Sequence, residues 1–290
     1  MANVDLLDMK SFAKQLNNAT FTDYYYRLML IARSIFEWKN LPNGIDEKWI
    51  ERYLYIDGQC LFFKDKKMGF MVARCNPSGQ INNYDEYTFL TPYGTNYQGS
   101  PLERNEKCIL IRNNDEMIPT MYTTRLYAYR LAEIERTIDV NVNAMKTSGI
   151  ILCSEKQRLT MKKIFEKWNG NEPLIFGDKN LDLSGIDVLK LDAPIVFDKL
   201  QVHKRAIWNE YMTHIGVNNA NTEKKERQIV DEVNANNEQI EVSGNVFLKA
   251  RKLACKQIND LFDLNIEVSV RDDFKPLFES EEVDDDDVLS

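Results

Sequence analysis

Only two histidines, His203 and His214, occur in the 290 residues, so the chain is poor in the groups from which catalytic centres are usually built. Eleven positions separate them within a helical pattern. That puts them on nearly one face but about 16 Å apart, too far to share a metal ion. Both read as structural or surface groups. Neither a GxxxxGK(S/T) nor a GxGxxG stretch occurs, so nucleotide hydrolysis has no visible seat. No PD…ExK spacing marks a nuclease, and no Ser/His/Asp or Cys/His arrangement can be assembled. Five cysteines, Cys60, Cys75, Cys108, Cys153 and Cys255, are scattered without CxxC spacing. Their number and spacing predict reduced thiols, not a disulfide frame or a zinc site. No apolar run approaches the ~18 residues of a membrane helix, so no membrane partner is expected. Residues 1–10 lack the basic-then-apolar pattern of a secretion signal. Neither a cofactor nor a metal is expected, and the chain is read as non-enzymatic.

Charge is present but unevenly placed. The net charge is -8, yet Glu279, Glu281, Glu282, Asp284, Asp285, Asp286 and Asp287 supply seven negative charges within nine residues. Without them the remainder carries about -1, so the body is nearly neutral. Residues 271–290 therefore read as an acidic, self-repelling, disordered tail. A tight DNA binder would show a strongly basic surface, because phosphate neutralisation supplies most of the affinity. A nearly neutral body therefore argues against a tight, site-specific DNA binder.

The patterning predicts an α+β chain. Residues 12–38 read as one or two helices with Tyr24, Leu28, Ile31, Ile35 and Trp38 on a face, ended by Leu41-Pro42-Asn43-Gly44. A shorter helix spans 46–56, with Asp46 as its cap. Short apolar runs at 60–63, 69–73, 87–90 and 108–111 read as strands of a small twisted, barrel-like sheet. Pro119 opens a helix to about Lys146. There Leu131, Ile134, Ile138, Val142 and Met145 form a narrow heptad-like seam suited to packing across subunits. Residues 148–192 read as an α/β insert, with strands at 150–152, 174–176 and 188–191 and a helix at 154–169. Lys156, Arg158, Lys162, Lys163 and Lys167 of that helix form the most basic patch, read either as a solvated face or as a contact surface for a partner or its nucleic acid. Helices at 198–215 and 237–262 and a strand at 264–270 complete the pattern.

Between those last two helices lies the polar stretch 218–235, NNANTEKKERQIVDEVNA, free of glycine and proline. A compact domain seldom devotes so many residues to a polar excursion without a task, though a solvated connector remains the plain alternative. The wording around it resembles one family: Asp192-Ala193-Pro194-Ile195-Val196-Phe197-Asp198-Lys199-Leu200, Trp208-Asn209-Glu210, the run from Asn219 to Arg227, Asp231-Glu232-Val233 and Ser243-Gly244. Upstream, Phe36-Glu37-Trp38-Lys39-Asn40-Leu41-Pro42, Asn113-Asn114-Asp115, Leu131-Ala132-Glu133 and Lys146-Thr147 agree in the same order. The chain resembles, from about Ile31 to Val268, the portal proteins of small protein-primed short-tailed phages of the phi twenty-nine type. These are also called upper collar or head–tail connector proteins.

The resemblance implies a ring-forming portal fold with long stem helices, a small β-rich wing and an α/β clip. It divides the chain into wing (1–118), stem helix (119–147), clip (148–193), stem helix (194–217), channel loop (218–236), wing helix and strand (237–270) and tail (271–290). It implies a dodecamer around an axial channel for double-stranded DNA, serving packaging, retention, head–tail joining and ejection. Its partners are then a packaging ATPase, scaffold, the major capsid protein and a lower collar or tail protein. The place implied is the virion portal vertex, after assembly in the host cytoplasm. The family's channel-facing lysines fall on Lys190 and Lys199, and its channel loop brings Lys224, Lys225 and Arg227. The family's basic N-terminal extension is not matched, since residues 1–18 are close to neutral, which leaves packaging RNA in doubt. The alternatives are a nuclease-like DNA-processing enzyme or another ring adaptor such as a lower collar, and native mass separates ring from enzyme.

Overall fold

The computed structural model describes residues 9–146, 150–152, 187–189, 196–218 and 230–274. They divide into two compact units, residues 1–132 with 205–290 and residues 133–204.

In the first unit, helix α1 (Met9–Ser34) buries Tyr24, Leu28 and Ala32 at four-residue spacing. It stops four residues before the expected end. The Ser34 hydroxyl donates to the carbonyls of Leu30 (2.8 Å) and Ile31 (3.1 Å), competing with the backbone ladder. The chain then extends as β1 (Phe36–Lys39), because Phe36 and Trp38 are buried at the two-residue period of a strand. Trp38 is thus a strand residue, not the end of a helical face.

Helix α2 (Glu47–Asp57) starts where expected. The Asp46 carboxylate accepts from the Lys48 amide at 2.9 Å. It ends at Gly58, whose φ of 75° lets its amide return to the Leu54 carbonyl at 3.0 Å.

The sheet follows, with β2 (Gln59–Asp65), β3 (Gly69–Ile81), β4 (Tyr87–Gly94), β5 (Tyr97–Gln98), β6 (Leu102–Glu103) and β7 (Cys108–Arg112). Its antiparallel order is β5-β4-β3-β2-β7, and β6 continues the outer edge of β4. Beyond β6 a bridge joins Arg104 to Cys108, so the sheet curls back almost onto β7. That is the barrel-like curl the sequence predicts. Leu61, Phe63, Ala73, Cys75, Leu90, Cys108 and Leu110 fill its concave face. The other face is covered too, as Phe62 meets Phe70 and Phe262, each with ring centroids 5.7 Å apart. Burial on both faces explains why β2 and β7 read as continuous apolar runs instead of alternating ones.

Helix α3 (Thr120–Lys146) begins directly after Pro119 and runs 27 residues, roughly 40 Å. The seam it was expected to offer a neighbouring subunit is partly internal. Leu131, Ile134 and Ile138 are buried by the chain itself, while Val142 is exposed. Seam spacing reports that a stripe is covered, not which chain covers it. A different stripe is open, with Tyr122, Leu126 and Tyr129 exposed by 63%, 57% and 57% at i, i+4 and i+7.

In the second unit, α3 continues to Lys146, and β8 (Ile150–Leu152) pairs antiparallel with β9 (Asp187–Leu189). The expected helix at 154–169 and strand at 174–176 lie outside the described residues. Helix α4 (Phe197–His214) begins here. The Val196 amide donates to the Asn141 side-chain oxygen, and Lys204 pairs with Glu135.

Helix α5 (Val230–Phe262) starts seven residues earlier than expected. Val230, Val233, Asn237 and Ile240 continue its spacing upstream, so the last part of the stretch expected to be a loop is helix. The helix leads to β10 (Glu267–Val270), shorter than the expected strand, which pairs antiparallel with β1, Phe36 opposite Val270 and Trp38 opposite Val268.

Candidate functional site

Of the residues expected along a DNA path, only Lys199 lies among those described; Lys190, Lys224, Lys225 and Arg227 fall outside, as do the basic residues between Lys156 and Lys167. Lys199 is exposed in the first turn of α4, beside Asp198. It has no ion pair among the described residues. His203 is exposed on the same helix. His214 sets its ring edge-on against Phe247, with centroids 6.3 Å apart. Among the described residues no three His, Cys, Asp or Glu side chains form a group able to hold a metal ion. No described helix is long and apolar enough to cross a membrane.

The polar chemistry of the first unit is turned inward. Arg251 of α5 and Glu51 of α2 are each only 3% exposed. The guanidinium forks onto the carboxylate, Nε to Oε1 at 2.9 Å and Nη2 to Oε2 at 2.7 Å. Trp38 Nε1 donates to the same Oε1 at 2.9 Å. Arg251 also reaches the Asn113 carbonyl and side-chain oxygen at 3.2 Å each, and its Cζ lies 4.1 Å from the centroid of the Phe36 ring. Asn113 in turn donates to the Ile118 carbonyl (2.8 Å) and to Thr120 Oγ1 (2.9 Å) at the start of α3. One ion pair therefore fastens β1, α2, the β7–α3 turn and α5. Ion pair and hydrogen bonds partner one another within the network, so the arrangement holds structure. The signal in the sequence was a charge inside an apolar stripe: Arg251 follows Ala250 and precedes Ala254, and Glu51 sits between Ile50 and Leu54.

A second lock ties α3 to α4. The Tyr127 hydroxyl donates to Glu210 Oε1 at 2.7 Å, and Arg130 reaches Oε2 at 3.3 Å. Thr124 and Tyr211 hydroxyls meet at 2.8 Å. Burial, and then the Glu210 carboxylate, push the Tyr127 hydroxyl up to about 12.

The four described cysteines are buried and free. Burial raises the thiols of Cys75, Cys108 and Cys255 to about 12 and that of Cys60 well above its ordinary value. Alkylation of the native protein at pH 8 is expected to spare all four, with labelling only after denaturation; rapid native labelling of any of them in a peptide map would contradict this burial. Because the folded values are raised, the stabilisation is complete below the ordinary thiol value near 9. It is lost as pH climbs from there toward 12.

This inward-facing scaffold has known counterparts. The chain is similar in fold to a chain of the portal and tail of native bacteriophage P68, at 14% identity and a TM-score of 0.50 over 98% of this chain and 94% of that one. Looser similarity extends to a chain of the virion of a native gene transfer agent particle (11% identity, TM-score 0.47, 92% of this chain and 84% of that one). It extends also to an HK97 family phage portal protein from Corynebacterium diphtheriae (11% identity, TM-score 0.42, 89% and 94%). The mixed helix and sheet fold is shared with the P68 chain. The chain belongs to the Phage Connector (GP10) family, whose model matches residues 7–275. That family is structural and not enzymatic, which removes the nuclease-like alternative.

Proposed function

We propose that the chain is the subunit of a twelve-membered portal ring of the phi twenty-nine type, enclosing an axial channel for double-stranded DNA. The observation that carries this reading is the family match over residues 7–275, joined to the fold shared with the P68 chain. In it, residues 1–118 and 237–270 make the wing, 119–147 and 194–217 the stem, and 148–193 the clip. The channel loop is 218–229, since Val230 already belongs to α5. The open stripe of Tyr122, Leu126 and Tyr129 is of the kind a cyclic head-to-tail contact covers once per subunit. The ring sits at the virion portal vertex, where it meets the packaging ATPase, scaffold, major capsid protein and the lower collar or tail protein. It takes part in packaging, retention, head–tail joining and ejection of the genome.

Lys190 and Lys199 then form positive bands on the channel wall, and Lys224, Lys225 and Arg227 reach into the lumen. Bands of this kind attract phosphate without reading sequence, and salt screens them over about 8 Å. Lys199, exposed and without an ion pair among the described residues, supports this assignment. The purified protein is expected to weigh about 407 kDa by mass photometry, twelve times the 33.9 kDa chain. Only monomers and dimers at every salt concentration would end the ring reading. Lys199→Ala, or Lys224 and Lys225 both to alanine, should keep that mass and shift the conductance of rings inserted in a bilayer. Unchanged conductance would move these residues off the channel wall.

A further inference from the structure

Beside α2 the first unit carries an open cavity of about 620 Å³ that the ring reading leaves unused. Trp49, Tyr53, Phe70 and Tyr93 line it, with Arg52 and Arg74 between them, and no carboxylate is in the lining. Its two cations lie on its rings: Arg52 Cζ is 5.5 Å from the Trp49 ring centroid and Arg74 Cζ 5.8 Å from that of Tyr53. Arg74 is paired with Asp57 at 2.7 Å, whereas Arg52 is exposed and has no ion pair among the described residues. Trp49, with 41% of its surface exposed, is large and apolar for an open position.

The described chain ends at Phe274, whose carbonyl accepts from the Asn218 amide at 3.2 Å, and three residues earlier it is fastened to α2. The Arg271 amide donates to the Ile35 carbonyl at 2.9 Å, and its guanidinium pairs with Glu47, two residues before Trp49 on α2. The 3-10 turn Asp272–Phe274 follows, and then residues 275–290, KPLFESEEVDDDDVLS. Residues 275–277 reach roughly 14 Å from Phe274 when extended, and the twelve residues after them span up to roughly 40 Å. This segment holds seven acids between two apolar pairs, Leu277-Phe278 and Val288-Leu289. The cavity offers the complementary set, cations and aromatic rings. We infer that the acidic segment 278–289 docks into the Trp49–Arg52–Tyr93 cavity of its own chain. Its carboxylates lie against Arg52 and Arg74, and its flanking apolar side chains lie on the rings. The tether favours the chain's own segment over a neighbour's, because a short link holds it at an effective concentration in the millimolar range. Docking also relieves the self-repulsion of seven clustered charges.

The test uses the full chain with p-benzoylphenylalanine in place of Phe278 or Leu289, irradiated and mapped by peptide mass spectrometry. Most cross-links are expected on the peptides holding Trp49–Tyr53, Phe70–Arg74 or Tyr93. Arg52→Glu should lower that yield at least five-fold, and 1 M salt should lower it in the otherwise unaltered chain. Arg52→Gln, milder on an exposed residue, should give an intermediate loss. In a mixture of ¹⁵N-labelled and unlabelled copies, the cross-linked pairs should carry one isotope. Cross-links elsewhere, yields indifferent to Arg52 and salt, or mixed-isotope pairs would each overturn the assignment. The contact is made within one chain, so its outcome is independent of ring assembly.

Discussion

Arg251→Ala is expected to cost about 3–5 kcal/mol, enough to unfold much of the first unit at physiological temperature. The loss is large because the alanine leaves Glu51 behind, a carboxylate 3% exposed whose remaining protein donor would be Trp38 Nε1. It also frees the Asn113 carbonyl and empties the space over the Phe36 ring. Glu51→Gln should cost less, since the amide oxygen still accepts from Arg251 and Trp38. Replacing both together, Arg251→Met with Glu51→Leu, should recover most of the loss, because buried ion pairs are often exchangeable for apolar pairs of similar volume. Urea unfolding of the three variants measures the ladder. An Arg251→Ala protein within 1 kcal/mol of the parent would show that the pair is not the fastening described.

A comparably large effect is expected at one member of a pair of glycines, and almost none at the other. Helix α4 closes in a Schellman turn, with the Gly216 amide on the Thr213 carbonyl (3.1 Å) and the Val217 amide on that of Met212 (2.8 Å). Gly216 has φ of +75°, and a Cβ there would fall 2.3 Å from the Cα of Gly244 in mid-α5. Gly216→Ala therefore combines backbone strain with a clash against main chain, which no rotamer relieves, and should cost several kcal/mol. A Cβ on Gly244 meets the Gly216 Cα at 3.3 Å and sits in ordinary helical geometry. Gly244→Ala needs a shift of a few tenths of an ångström and gains up to about 1 kcal/mol of helix propensity, so its melting temperature should stay near the parent's. Equal effects of the two substitutions in thermal melts would refute this account.

These two features mark where reading residues in order stops being enough. Local signals were sufficient for α2, where Asp46 and Gly58 bracket the helix, and for α3, which Pro119 opens. They were sufficient as well for the apolar runs that became β2, β3, β4 and β7. They failed where the partner lies far along the chain. Phe36 and Trp38 continue an apolar spacing that looks helical until Val268 and Val270 supply a strand to pair with. Ile134 and Ile138 have the spacing of an exposed seam but are covered by their own chain. The polar stretch after α4 hid the first turns of α5 because Val230 and Val233 are outnumbered by charges. Arg251 and Glu51 stand inside apolar stripes, but nothing near either in sequence names its partner, which the fold brings from 200 positions away. The lysines assigned to the channel came from a family resemblance, since no spacing rule distinguishes a lysine facing DNA from one facing water.

The pairing of β1 with β10 also sets the order of events during synthesis. Phe36 must wait for Val270, more than two hundred residues later, before its strand has a partner. At about 5–20 residues per second a ribosome takes roughly 10–50 s over that interval. Throughout it the apolar edge of β1 and the α2 face carrying Glu51 stay uncovered, since Arg251 has also not yet been made. The sheet of β2 to β7 can close early, and the pairing of β1 only at the end. A nascent chain thus lacks a finished first unit until Val270 has left the ribosome.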